Sequence, residues 1–401
     1  MYEGKIFECF GCIEDKRQEA KVKHKLIDII FLVIASVICG CNEWKEIYMW
    51  ATEEVNIAWL KKYIALENGI PSLSTIGRLF NIINPKQLEK CFAHWMKTAV
   101  ELAQKDVVSI DGKTMKGSRD IIEGKKGVHI VSALCDSHNL ILGQVKTDEK
   151  SNEITAIPEL LDMLFLEGCI VTIDAMGAQK KIVEKIINDN HADYVINLKG
   201  NQETLHNEVI EYFEDLEKEG VIDNLKLSEQ EAKDDTEKSK DKKIDMCSTM
   251  DKGHGRIEKR IYIFSTDIDW MVDAKKDWAG LNGIGLVMRE VTFSTGEKTF
   301  EKAHYIGSAD NVGDFAKAAR NHWGVESMHW TLDVTFRDDA NKTRKGQLPR
   351  NMAVLKRIAL NTVKNDTSRY PKESMKGKRF RALMNFSYRD FLIDLNFKER
   401  Q

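Results

Sequence analysis

The spacing of apolar residues changes character at Asp106, and that change restricts the fold more than any other feature of the sequence. Before it, from about Lys16 to Leu102, apolar positions recur every three and four residues. The runs Leu26–Val37, Glu43–Lys62, Thr75–Ile83 and Pro85–Val100 therefore predict a small all-α domain. Gly69-Ile-Pro-Ser-Leu-Ser-Thr75 supplies a loop, and its serines or threonine can cap the helix entering Ile76–Phe80. After Asp106 come short β-rich runs bounded by turn residues: Val107–Asp111, His129–Cys135 and Leu140–Lys146, expected to form an antiparallel meander. A helix over Asn152–Phe165, an apolar strand Cys169–Ile173, a helix Gln179–Asp189 and a strand Tyr194–Leu198 follow.

The resulting order, β-β-β-α-β-α-β, predicts a mixed sheet with helices on its faces, the arrangement called RNase H-like, and the fold class is α+β. Beyond Gly200 a helix to about Leu216 leads into Glu229–Asp245, a charged, Gly-poor stretch that reads as solvent-exposed or disordered. Strand signals return at Ile257–Ser265, Gly283–Phe293 and Ala303–Ile306, a β-rich insertion over about 203–305 ahead of a final helical segment from near Val312. The expected division is a helical domain over 1–104 and a mixed-sheet domain over 105–401.

With 401 residues and a hydrophobic fraction of 42%, the chain can bury a sizeable core. Its most apolar run, Leu26–Cys39, is too short to span a bilayer, contains Asp28 and meets the breaker Gly40, so it is expected to be a buried helix. No basic-then-apolar leader opens the sequence, and the expected location is the cytoplasm. Eight scattered cysteines fit reduced thiols better than a disulfide framework. Cys9 and Cys12 form a C-x-x-C pair, but with Cys39-Gly-Cys41 they match no common zinc finger.

A net charge of −3 runs against a nucleic-acid partner until its distribution is considered. From Arg337 to Gln401 there are 17 Lys/Arg against 7 Asp/Glu, a net of +10; from Glu203 to Lys252 there are 16 Asp/Glu against 8 Lys, a net of −8. One end can meet a polyanion while another segment lowers the average.

Two of the apolar runs close on an aspartate. Asp111 follows Val107-Val-Ser-Ile110 and Asp174 follows Ile170-Val-Thr-Ile173. If the strands are neighbours, both carboxylates stand at the sheet rim and can share Mg²⁺, which wants hard oxygen ligands. Each has a blander reading: Asp111-Gly112 as a hairpin turn, Asp174 as a helix cap. The third acid is sought in Arg320-Asn-His-Trp323-Gly-Val-Glu326-Ser-Met-His329-Trp330-Thr-Leu-Asp333. On one helix, His322, Glu326, His329 or Trp330, and Asp333 would share a face. Asp333, Asp338 and Asp339 compete with Glu326 for that role. Trp323 and Trp330 could stack on a flipped base, although core packing is the favoured expectation.

At these residues the chain resembles the ISAs-type insertion-sequence transposases, the group that includes the H-repeat-associated proteins of Rhs elements, within the DDE superfamily. The resemblance covers nearly the whole chain. It is carried by Ser109-Ile-Asp-Gly-Lys-Thr-Met-Lys-Gly-Ser118, Glu149-Lys-Ser-Asn-Glu-Ile-Thr-Ala-Ile-Pro-Glu-Leu160, Val171-Thr-Ile-Asp-Ala-Met-Gly-Ala-Gln179, Leu198-Lys-Gly-Asn-Gln202, His254-Gly-Arg-Ile-Glu258, and His322-Trp-Gly-Val-Glu326 with Leu332-Asp-Val-Thr-Phe336. It implies an RNase H-like core, an N-terminal helical domain, and two Mg²⁺ ions, replaceable by Mn²⁺, on Asp111, Asp174 and Glu326. The wider superfamily often carries a Tyr, Arg, Glu and Lys series on its last helix. Here Ala319, His322, Glu326 and Asp333 take those places, so only the glutamate is retained. Arg320, Lys342, Arg344 and Lys345 lie close enough along the chain to substitute for the missing cations.

The activity implied is metal-dependent hydrolysis and strand transfer on double-stranded DNA, at element ends and target, by a homodimer or larger assembly. Lys113, Lys116 and Lys199 are expected beside phosphates, with His254, Arg256, Arg320 and His322 as further DNA-binding residues. Ordinary surface roles compete for each.

Overall fold

A computed structural model describes residues 5–120, 124, 126–147, 153–231, 243–253 and 255–398. In chain order its helices are α1 (Lys5–Phe10), α2 (Leu26–Ile38), α3 (Trp44–Thr52), α4 (Glu54–Leu60), α5 (Leu73–Ile82), α6 (Pro85–Ala99), α7 (Glu153–Leu161), α8 (Lys180–Asn188), α9 (Glu203–Lys218), α10 (Val221–Glu231), α11 (Val272–Asp277), α12 (Val312–Asn321), α13 (Gly324–Val334), α14 (Leu348–Lys364), α15 (Met375–Met384) and α16 (Phe386–Phe397). The strands are β1 (Val107–Met115), β2 (Val128–Cys135), β3 (Leu140–Lys146), β4 (Ile170–Ile173), β5 (Asp193–Leu198), β6 (Ile244–Gly253), β7 (Arg256–Ser265), β8 (Gly283–Phe293) and β9 (Lys298–Gly307). The α+β class is as expected. Among the described residues no helix is long and apolar enough to cross a membrane.

The chain forms two compact units. The first takes Met1–Glu101, Gly112–Leu164 and Gly324–Gln401; the second takes Leu102–Asp111 and Phe165–Trp323. The division falls within β1, between Asp111 and Gly112.

In the first unit α2 is apolar on every side and is buried from Leu26 to Ile38 save for Ile27. It packs on α14, whose residues from Asn351 to Val363 are likewise buried. The run Glu43–Lys62 is two helices, not one. Thr52 Oγ1 donates to the carbonyls of Tyr48 and Met49, Asn56 Nδ2 donates to that of Trp50, and Glu53 between them is extended. Ser72 caps α5 by accepting from the Thr75 amide at 3.2 Å, as the loop composition predicts. β2 and β3 pair antiparallel from Ile130↔Lys146 to Cys135↔Leu140. β3 is an edge strand, and α6 and α14 pack on it. Asn361 of α14 meets that edge as another strand would: its Oδ1 accepts from the Ile141 amide at 3.0 Å and its Nδ2 donates to the Ile141 carbonyl at 2.8 Å.

In the second unit the strands run in the order β1-β4-β5-β9-β8-β7-β6. β1, β4 and β5 are parallel; β5 to β9 and the β9-β8-β7-β6 meander are antiparallel. Buried Val107, Ile170, Val195, Tyr262 and Phe264 form a core with Phe315, Ala318 and Ala319 of α12. Phe315 comes so close to β8 that a Cβ on Gly285 would collide with its ring, which is why a glycine stands within that strand. The β-rich insertion is larger than its sequence signals. β9 starts at Lys298 instead of Ala303, and β6 was not expected at all. α10 occupies the start of the charged stretch, whose residues 232–242 lie outside the described set.

Candidate active site

The two aspartates are brought together by the second unit alone. Parallel pairing aligns Val107↔Ile170 through Ile110↔Ile173, so β1 and β4 deliver their next residues, Asp111 and Asp174, at the same sheet edge. Adjacent strands lie about 4.8 Å apart, and the two side chains each offer a carboxylate oxygen within 4.8 Å of the other. Both are partly exposed. The hairpin-turn reading of Asp111-Gly112 is excluded, because β1 continues without a turn to Met115. The cap reading of Asp174 is realised: its Oδ1 accepts from the amides of Met176 at 3.0 Å and Gly177 at 3.3 Å. Those bonds fix the carboxylate and leave its second oxygen outside the turn.

That turn is held from the segment following β5. Asn201 Nδ2 donates to the Ala175 carbonyl at 2.6 Å and Gln202 Nε2 to that of Ala178 at 2.9 Å. Sequence reasoning assigned these two residues no role, although both belong to the motif beginning at Leu198. Lys199, beside them, is exposed. His322 Nδ1 lies 3.5 Å from Thr172 Oγ1. Burial lowers its pKa below the ordinary imidazole value, while the Asp174 charge acts in the opposite direction.

The single helix expected from His322 to Asp333 does not exist. α12 stops at Asn321, α13 starts at Gly324, and His322 is the C-cap of the earlier helix, so it shares no helical face with Glu326. In the first unit Glu326 stands exposed in the opening turn of α13, with no ion pair among the described residues. Its three competitors each lie against a cation. Asp333 Oδ1 is 2.5 Å from Lys113 Nζ. Asp339 Oδ1 is 3.4 Å from the same amine and accepts from the Lys116 amide at 3.1 Å. Asp338, fully buried, is 2.9 Å from Lys356 and 3.7 Å from Arg357. Burial pushes the Asp333 carboxyl above its ordinary range, with Lys113 pulling it back.

Lys113, expected beside DNA phosphates, is only 8% exposed, its amine enclosed by those carboxylates. Lys116, 83% exposed, does face solvent. So do Lys342, Arg344 and Lys345, on the loop before α14. In the second unit Arg256 is exposed near Glu258, and Arg320 lies 3.2 Å from Asp251. His254 falls outside the described residues. The core-packing expectation for the two tryptophans is overturned: Trp323 is 48% and Trp330 64% exposed. The Arg289 guanidinium sits over the Trp323 ring, 5.4 Å from its centroid.

Glu153, the first residue of α7, is an acid that sequence reasoning did not select. It hydrogen-bonds His129 Nε2 at 2.8 Å, and His129 Nδ1 in turn meets Thr114 Oγ1 at 2.7 Å. A Cβ on Gly112 would meet Glu153 Oε1, so any larger residue there, one along the chain from Asp111, would have to displace the Glu153 carboxylate. The motif from Glu149 to Leu160 contains this residue but also Glu149 and Glu159, and nothing in its spacing singles Glu153 out.

Among known proteins, the family described as the transposase DDE domain matches residues 102–362, and the region described as associated with it matches residues 7–96. YncI, a candidate transposase of Escherichia coli O157:H7, is 38% identical over 96% of this chain and 93% of its own length. YhhI, an H repeat-associated candidate transposase of Escherichia coli (strain K12), is 37% identical over 96% of both chains. A solved piggyBac transposase synaptic complex with hairpin DNA aligns over 98% of this chain and 82% of that one, with 10% identity and a TM-score of 0.40.

Proposed function

The chain belongs to the DDE transposase family, and from that premise we propose that it cuts DNA at the ends of its own element and joins the freed ends to a target. One observation carries the reading: two carboxylates within 4.8 Å of each other, at the same end of two adjacent parallel strands. Ligands of open α/β sheets gather at the carboxyl ends of the strands, where backbone and side chains converge without crossing the sheet.

The donors fit a divalent cation with a taste for hard oxygen. Mg²⁺ holds oxygens at about 2.0–2.1 Å, so two ligands of one ion stand about 3–4 Å apart, within a small side-chain rotation of the observed spacing. Asp111 and Asp174 would hold the metal, with Glu326 as the third ligand. When bound, a pair of ions lowers the pKa of the attacking water or hydroxyl and stabilises the leaving oxygen. Asp111 and Asp174 fix where the scissile phosphate is gripped. The turn after Asp174, held by Asn201 and Gln202, keeps that carboxylate from rotating away. His322, half-buried and beside Thr172, is placed to take part in a hydrogen bond at this edge of the sheet. Lys116, Lys199, Lys342, Arg344 and Lys345 offer cations to the phosphate backbone. Joining requires two DNA ends to be held at once, for which a dimer or larger assembly is the simplest arrangement.

The test is cleavage and strand transfer on duplexes made from the sequences flanking this chain's coding frame, with Mg²⁺ or Mn²⁺. Asp111→Asn, Asp174→Asn and Glu326→Gln are each expected to lose roughly a hundredfold or more of the chemical rate while still binding DNA. Full activity in Glu326→Gln would remove that residue from the site. Binding without cutting by the native chain under either metal would instead mark a remnant that has lost its chemistry, and cutting without joining would mark a nuclease.

A further inference from the structure

We infer that Lys113 and Asp333 form an internal clamp that sets the position of the Glu326 carboxylate, so that both act as positioning residues for the reaction. The inference rests on the reading of Glu326 as the third acid.

Lys113 lies two residues beyond Asp111 on β1, and side chains two apart leave the same face of a strand. Asp333 lies seven residues beyond Glu326 on α13, two turns on, which puts both on one helical face about 10 Å apart along the axis. The Lys113 amine meets Asp333 at 2.5 Å. Lys113, in the first unit's part of β1, is thereby tied to the helix face that carries Glu326. A second strut backs the first: Asp339 stands 3.4 Å from the same amine and is itself held at 3.1 Å by the Lys116 amide.

Stability alone is a poor account of such a pair. Apolar side chains of similar shape would hold strand to helix as well or better, because a buried ammonium and a half-buried carboxylate must first give up water. What an ion pair adds is direction. Lys113 holds Asp333 within α13 and Asp339 just beyond its end, a pairing that resists rotation of the helix, and Glu326 turns with it. The pairing also makes Lys113 unavailable to phosphate, which separates its role from that of exposed Lys116.

The experiment compares Lys113→Met, Lys113→Arg, Asp333→Asn and Glu326→Gln in the full chain. It measures DNA affinity over a range of salt, and cleavage rate against Mg²⁺ and Mn²⁺ concentration, on the flanking-sequence duplexes. Groups that orient a metal ligand typically cost about 10–100-fold in metal affinity or activity when removed. Lys113→Met and Asp333→Asn are therefore expected to bind DNA as the native chain does, to cleave at least roughly tenfold more slowly, and to need more metal for half-maximal rate. Lys113→Arg is expected to keep most of the activity.

Native rates and metal requirement in folded Lys113→Met and Asp333→Asn, with Glu326→Gln inactive, would overturn the clamp and leave the third-acid reading standing. Tighter DNA binding by Asp333→Asn would also overturn it, since that is what uncovering a phosphate-binding lysine produces. Should Lys113→Met fail to fold, the nearly isosteric Asp333→Asn decides alone. Native activity in Glu326→Gln removes the third-acid reading, and the clamp with it.

Discussion

Two histidines are kept uncharged by their surroundings. Burial, with the Arg357, Lys113 and His129 charges behind it, pushes His329 down to about 3. Burial, with His206 and Lys302 behind it, pushes His304 down to about 4. Unfolded, each takes up a proton near its ordinary value of 6.5, so below that pH the unfolded chain binds more protons than the folded one. Their contribution to stability is present above pH 6.5 and is lost as pH falls toward the folded values, at up to about 1.4 kcal/mol per pH unit for each group. Urea midpoints should therefore fall between pH 7 and pH 5, and His329→Gln or His304→Gln should flatten that fall. Equal slopes in native and variant chains would show that neither group is linked to folding. At this scale the placement of the two aspartates at strand ends was legible, because each closes a short β-rich apolar run. The burial of Lys113 was not, since its partners Asp333 and Asp339 come from a distant part of the chain and a lysine after Asp-Gly looks like any surface residue.

Strand direction decides whether the two aspartates can cooperate. Had β1 and β4 paired antiparallel, the same sequences would have put Asp111 and Asp174 at opposite ends of the sheet; the intervening helix α7 makes the parallel crossover possible. The apolar pattern gave both strands but left open whether they are neighbours, which the parallel pairing establishes. It did not give the second half of β1, because Gly112-Lys113-Thr114 lacks apolar character and Gly after Asp signals a turn. Nor did it give β6, whose burial fades to full exposure by Thr249, so that no alternation marks it. The break between α12 and α13 was hidden by a run of helix-compatible residues around Gly324. Among helices, α14 bears a testable duty at the β3 edge. Asn361→Leu would leave the Ile141 amide and carbonyl buried without partners, at a cost of about 2–4 kcal/mol. A urea midpoint unchanged from the native value would mean that water or a shifted side chain replaces the amide.

Across the whole chain the charge is close to balanced, −3 over 401 residues; the segment from Arg337 onward holds a basic excess, but Lys356, Arg357, Lys378, Arg379 and Arg389 within it are buried, which leaves the loop cations before α14 among the exposed ones. If Lys342, Arg344 and Lys345 meet phosphates, changing all three to alanine should flatten the plot of log affinity against log salt by about 0.9 for each phosphate no longer neutralised, whatever the DNA sequence. An unchanged slope would send the search to other cations. Neither compact unit is continuous in sequence: the chain leaves the first at Glu101, returns at Gly112, leaves again after Leu164 and returns finally at Gly324. Apolar patterning finds elements, but it says nothing about which distant elements share a core, so this interleaving was beyond its reach. The interleaving has a consequence for how the protein is made. Helix α2, apolar on all sides, is finished by Ile38, whereas α14, on which it packs, starts only at Leu348. At about 5–20 residues per second the ribosome needs roughly fifteen seconds to a minute to cover that interval. For all that time one of the greasiest segments of the nascent chain waits for a partner not yet translated, which makes it a natural client for the chaperones that guard emerging polypeptides.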